Sequence, residues 1–289
     1  MSTQTIVTPN FEAAMYSLRC EGQTNQFLYY YTTAETLYKI LDNRCIKTSK
    51  YNSVNDLDEA NLDCLNGNLK TWEVEKYIND NCHFISFVYD YIKIKVIIEG
   101  LQHPRMWAQY ANNSEGACII INKKKFLNKC RRARGNRNVL LGKVRYTWSK
   151  LSQERPEIVS SFCQNSTAEM IVRKYRNNIF LTKHVDWEQE HEKRLCIIGN
   201  REQDMISIDG CIEGICLGKN FINDSSRIVK LAETIIDSND KYSDKLTDAA
   251  FGIVTSTESG YDSWPFHPNI DIEIGKIIKS LKVLQINGG

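Results

Sequence analysis

The run Glu115–Asn122, EGACIIIN, most narrows what this chain can fold into. It is strongly apolar but too short for a buried helix, so it predicts a buried strand. Comparable short runs recur at CHFISFVYD, RLCIIG and GICLG, and the aromatic FLYYYT (Phe27–Thr32) is equally strand-prone. VLLGKVRYTW predicts one or two more strands, and CIKTS a short one. Helical patterns lie between them. Thr33 stands as an N-cap before Leu37, Ile40 and Leu41, and Pro104 opens PRMWAQYANN. Ser166 and Glu169 have capping-box spacing, and Ile228, Leu231 and Ile235 share a helix side. The C-terminal stretch ends in an apolar, strand-like tail.

Strands and helices mix without regular β-α-β spacing and without a repeat. That pattern predicts an α+β fold, with a central, largely antiparallel sheet and flanking helices, over a doubly wound parallel sheet. A single mixed α/β core domain is expected over 27–240, with an N-terminal extension at 1–26 and a C-terminal segment at 241–289 packed on it.

Composition limits function only loosely. The chain has 289 residues, 42% apolar and 25% charged, with a formal net charge of +2. These are ordinary globular values. The N-terminus lacks a basic region followed by an apolar one, and no stretch approaches the roughly 18 apolar residues that span a bilayer. A cytoplasmic protein without a membrane partner is therefore expected. The ten cysteines are scattered with no C-x-x-C pair, and Cys118 and Cys216 sit inside apolar runs. They predict reduced, buried thiols and no zinc site.

Five stretches carry groups capable of chemistry. On a strand, Tyr30 and Thr32 share a face and can grip a polar ligand, although aromatic strands also simply pack a core. In VNDLDE, Asn55 and Asp56 favour a turn, and Asp56 with Glu59 has capping-box spacing. Trp107 and Tyr110 share a helix face, and Gly116 permits a tight entry into the next strand. That block reads mainly as scaffold.

WEQEHEKRL is the most ambiguous of the five. If helical, Glu190 and Arg194 form a modest i,i+4 pair. If extended, Glu190, Glu192 and Arg194 line one face at the lip of the LCII strand, where a carboxylate can stabilise developing positive charge and Arg194 can hold a phosphate. Lastly, residues 123–137 are dense in bases and free of acids. Lys124, Lys125, Arg131, Arg132 and Arg134 there form either a solvated basic loop or a patch that tracks RNA or DNA phosphates.

In their order, these blocks resemble the bacterial domain-of-unknown-function family twenty-nine seventy-one, often suspected of roles in phage defence. The matching residues are Tyr29, Tyr31 and Thr32; Asn55, Asp56 and Glu59; Ser86; Trp107, Tyr110 and Gly116; then Lys183, Trp187, Glu190, Glu192 and Arg194. The resemblance covers about residues 27–235. The family name implies no activity.

A more distant resemblance is to ADP-ribosyltransferase-like toxins, which begin with an H-x-T strand and place a catalytic glutamate on a late strand. It implies a split sheet, NAD as the substrate cofactor, and an acceptor that is plausibly nucleic acid. Tyr30 and Thr32 occupy the H-x-T-like positions, with Tyr30 where those proteins have histidine. Glu192 or Glu190 is the candidate glutamate, and Arg194 would take pyrophosphate. Asn55, Asp56, Ser86, Trp107 and Tyr110 are further candidates for substrate or cofactor binding. The rival is a metal-dependent nuclease or phosphodiesterase in which Asp56, Glu59, Glu190 and Glu192 hold Mg²⁺ or Mn²⁺. A third reading is a non-catalytic nucleic-acid-binding module braced by the same acids.

Overall fold

The computed structural model describes residues 26–51, 69–93, 96–98, 100–101, 103–148, 166–199, 205–242 and 250–253. Asn55, Asp56 and Glu59, the first 25 residues and the tail after 253 lie outside them.

In chain order the first elements are β1 (Phe27–Thr32), α1 (Ala34–Asn43), β2 (Cys45–Lys47), β3 (Ser49–Lys50) and α2 (Leu69–Asn81). Next come β4 (Cys82–Val88), β5 (Tyr91–Lys93), β6 (Val96–Ile98), α3 (Pro104–Gln109) and β7 (Ala117–Asn122). They are followed by α4 (Lys123–Arg134), β8 (Val139–Lys143), β9 (Arg145–Thr147), α5 (Ala168–Phe180) and β10 (Thr182–His184). The last are β11 (Glu192–Ile198), β12 (Met205–Ser207), β13 (Ile212–Leu217), α6 (Ser225–Lys241) and β14 (Ala250–Ile253). This is the mixed fold of helices and mainly antiparallel strands that the patterning predicts.

The chain forms two compact units, each discontinuous in sequence. The first comprises Met1–Cys45, Asp90–Lys124 and Ile208–Gly289; the second comprises Ile46–Tyr89 and Lys125–Ser207.

In the first unit β7 lies between β1 and β13, antiparallel to both, and β14 joins β13 in parallel. Ala117 to Ile121 are all buried, as an apolar run with no polar face requires. Helix α1 starts where the sequence places it, because the Thr33 hydroxyl accepts from the Thr36 N–H. Its buried Leu37, Ile40 and Leu41, and the Leu231, Ala232, Ile235 and Ile236 of α6, are each one apolar stripe of an amphipathic helix. The Tyr38 hydroxyl donates to the Arg227 carbonyl at 3.1 Å and ties α1 to α6.

Gly116 enters β7 against the neighbouring backbone: a Cβ built there would stand 2.1 Å from the Thr32 carbonyl oxygen. Main-chain atoms cannot rotate aside as a side chain can. Gly116→Ala is therefore expected to cost about 1–3 kcal/mol through forced separation of β1 from the start of β7. Urea denaturation checks this, and an unchanged midpoint would contradict it.

In the second unit β11 runs between β4 and β8, antiparallel to both, and β3 extends the β4 side. Helices α2 and α5 supply Val74, Ile78, Ile171, Val172, Ile179 and Phe180 to a core shared with Tyr51, Phe84, Cys196 and Ile198. Helix α5 is capped by Thr167, which accepts from the Met170 N–H, one residue later than the expected Ser166. Helix α2 was not legible in the periodicity.

The basic stretch is also corrected: 123–134 is a helix, not a loop. Phe126 and Cys130, one turn apart, are buried and anchor it, and the Phe126 ring meets Phe87 edge-on at 5.6 Å.

Candidate functional site

WEQEHEKRL is neither one helix nor one strand. Val185–Glu190 is a 3₁₀ turn, His191 adopts a left-handed backbone with φ of 44°, and the strand begins at Glu192. Only Glu192 and Arg194 therefore line up on β11, while Glu190 reaches the same place from the end of the turn. The segment is not the ion-paired surface that its composition suggests. Glu190 and Glu192 are each 3% exposed, Lys183 5% and Arg194 1%.

Four charges removed from water need partners, because an isolated buried ion is costly. The Arg194 guanidinium grips the Glu192 carboxylate with both arms, Nε to Oε1 at 2.8 Å and Nη2 to Oε2 at 2.9 Å. Such a fork gives orientation as well as attraction. Its Nη1 donates to the Tyr51 hydroxyl at 3.1 Å and the Phe180 carbonyl at 3.0 Å, and the guanidinium lies 4.7 Å from the centre of the Phe84 ring. Lys183 bridges the two acids, with Nζ 2.7 Å from Glu190 and 3.5 Å from Glu192, and stands 4.5 Å over the Trp187 ring.

Other elements hold the Glu192 end in place. Its N–H donates to the Tyr146 hydroxyl at 2.9 Å, and its carbonyl accepts from the Val144 N–H at 2.9 Å. On β4, Ser86 lies opposite Arg194 in register and therefore shares its face. The Ser86 hydroxyl donates to Glu192 Oε1 and, unlike the carboxylate, Ser86 is exposed. Glu192 is thus gripped from within by cations and reached from outside through a serine.

Burial works against the charge on Glu192. The Arg194 guanidinium and Lys183 ammonium, with hydrogen bonds from Arg194 and Ser86, outweigh it and hold the carboxyl below its ordinary value. Burial pushes the Tyr146 phenol up, and the nearby Glu192 charge adds to that, so Tyr146 stays neutral.

A carboxyl depressed in the folded state contributes stability that is fully present above its unfolded value of about 4.3. That stability is lost as pH falls through the folded value. Urea midpoints taken from neutral to acid pH should therefore drop more steeply in the wild type than in Glu192→Gln; parallel curves would contradict the assignment.

The second unit thus brings together Ser86, Glu190, Glu192 and Arg194. The expected phosphate-binding part of Arg194 does not fit its surroundings, since the guanidinium is sealed from solvent and engaged by Glu192, Tyr51 and Phe180. Lys183 and Trp187 stand in the same block of sequence, yet their part as the bridge was not anticipated. Tyr51 and Tyr146 carried no signal beyond a polar tip on an aromatic ring.

Tyr30, Thr32, Trp107 and Tyr110 belong to the first unit. Tyr30 is partly buried, which raises its phenol's pKa, and Thr32 is buried. Trp107 is scaffold: its indole N–H donates to the Leu101 carbonyl at 2.9 Å, and Tyr31 packs against it edge-on at 5.0 Å. Tyr110 closes α3 as its C-cap.

Among the described residues no three His, Cys, Asp or Glu side chains converge in a metal-binding group, and the Asp56 and Glu59 of the metal reading lie outside those residues. Nor is any described helix long and apolar enough to cross a membrane. Cys118, Cys196 and Cys216 are buried, as the apolar runs around them predict.

No curated protein and no solved structure matches the chain. A family does match: residues 106–195 fit the one described as Protein of unknown function (DUF2971). Those residues run from within α3 into β11 and include Trp107, Tyr110, Gly116, Lys183, Trp187, Glu190, Glu192 and Arg194. Residues 106–195 thus match the DUF2971 family, the one that the ordered blocks of the sequence resemble.

Proposed function

We propose that the second unit carries an NAD-consuming, ADP-ribosyltransferase-like centre in which Glu192 is the reacting carboxylate. One observation carries the reading. Glu192 is buried, clamped by Arg194 and Lys183, which hold its carboxyl below the ordinary value, and joined to the hydroxyl of Ser86, an exposed residue. Expelling nicotinamide breaks the bond between the ribose C1′ and the pyridinium nitrogen, and the bonding pair leaves with nicotinamide. Positive charge then develops on the ribose, and a preorganised carboxylate stabilises that charge best where water is excluded. The acceptor's lone pair forms the new bond to C1′, and its proton passes to Glu192 or to solvent.

Arg194 and Lys183 act as positioning residues in this scheme, and Glu190 balances Lys183. Glu192 stands at the start of a late strand of the second unit, the kind of position that the resemblance gives the catalytic glutamate. Tyr30 and Thr32 enter the proposal through their H-x-T-like positions alone, and a role in bacterial anti-phage defence enters through the family resemblance alone.

Incubating the purified chain with NAD, with and without RNA and DNA, and following free nicotinamide tests the reading. Release is expected in the wild type and its loss in Glu192→Gln; silence of the wild type on every substrate would sink the proposal.

A second reading has its own support, since the four buried charges offset one another and the network can serve as a brace. On that reading Glu192→Gln lowers the melting temperature and changes no activity.

A further inference from the structure

Seven of the twelve residues of α4 are Lys or Arg, and none is acidic. At 100° per residue, Lys124, Lys125, Arg131 and Arg132 fall on one arc of about 120°. All four are exposed, while Phe126 and Cys130 point the opposite way and are buried. The helix is thus a fixed rod whose outward face is cationic. Beyond its end, Arg137 is also exposed, and the Arg137 carbonyl and Asn138 side-chain oxygen accept from Arg173 Nη1 at 3.3 and 3.1 Å. Those bonds fix the end of the basic face to α5.

At the start of the helix this arrangement works against its stability, whereas Arg131, Arg132 and Arg134 suit its last turn. Three lysines occupy its first turn, where the positive end of the helix dipole disfavours cations, and Lys125 and Lys129 are like charges one turn apart. A polyanion laid along the arc meets Lys124 and Lys125 at the positive end of the helix. We propose that this face of α4 binds the phosphate backbone of nucleic acid. A membrane surface fits less well, because an interfacial helix inserts its apolar side, and here that side is packed inside the protein. Binding at this face does not depend on the chemistry proposed for Glu192.

The test is fluorescence anisotropy of the full chain with a short labelled single-stranded RNA and a duplex DNA, over a series of salt concentrations. Each phosphate neutralised contributes about 0.7–0.9 to the slope of log affinity against log salt. The variant Lys124→Gln/Lys125→Gln/Arg131→Gln/Arg132→Gln should therefore flatten the slope by about three and weaken binding. Lys39→Gln/Lys47→Gln/Lys76→Gln/Lys219→Gln removes the same charge from other exposed positions and should leave the slope as it is. Three results would overturn the proposal: no binding at low salt, equal weakening by both variants, or capture of phosphatidylserine vesicles in preference to either nucleic acid.

Discussion

Arg194→Leu is expected to lose about 3–5 kcal/mol of folding stability, the cost of leaving a buried carboxylate without its cation. Three features put it in that range. The Glu192 side chain is buried, both its oxygens are bonded to Arg194, and Lys183 is 3.5 Å away and already paired with Glu190. The Tyr51 hydroxyl and Phe180 carbonyl lose a donor in the same substitution. Removing both charges should behave differently. Glu192→Met/Arg194→Leu leaves Lys183 with Glu190 and replaces an ion pair by apolar groups, a change that is often neutral or stabilising. Urea denaturation of the two variants beside the wild type decides the matter. A single variant within about 1 kcal/mol of the wild type would show that the pair is not buried as described.

The second large effect is catalytic. Glu192→Gln should slow nicotinamide release on the order of 10²–10³-fold, the usual consequence of removing one preorganised stabiliser of transition-state charge. The loss should fall on kcat rather than on KM for NAD, because the carboxylate meets positive charge only as the glycosidic bond breaks. Glutamine keeps the shape and one oxygen for Arg194 but none of the charge, so folding is checked in parallel by the melting temperature. Ser86→Ala removes a hydrogen bond to the carboxylate and leaves its charge in place, so a smaller loss is expected. A Glu192→Gln protein that releases nicotinamide as fast as the wild type would leave Glu192 a brace.

Much of the fold was legible where side-chain periodicity records it. The strands at Phe27–Thr32, Ala117–Asn122 and Ile212–Leu217 follow from short apolar or aromatic runs, and α1 from its Thr33 cap and the spacing of Leu37, Ile40 and Leu41. Helix α4 was not legible as a helix, because its cations mask the two residues, Phe126 and Cys130, that anchor it. Helix α2 was missed because its pattern is interrupted by charged residues.

The site was legible as a location and illegible as a network. WEQEHEKRL names the acids and the arginine, but nothing local tells a solvated cluster from a buried one. That distinction rests on partners far along the chain. Ser86 is 106 residues from Glu192, Tyr51 is 143 from Arg194, and the Tyr146 hydroxyl that receives the Glu192 N–H is 46 away. The left-handed turn at His191 then sets Glu190 off the strand, and no periodicity predicted it.

By itself, then, the sequence determined most of the central strands, the apolar faces of α1 and α6 and the resemblance to a family, because these reside in residue spacing within a few turns. Only the tertiary structure decided that Glu192 is buried, charged and gripped by Arg194. Burial and charge pairing depend on which distant strands and helices close over a residue, and that is a property of the packed chain.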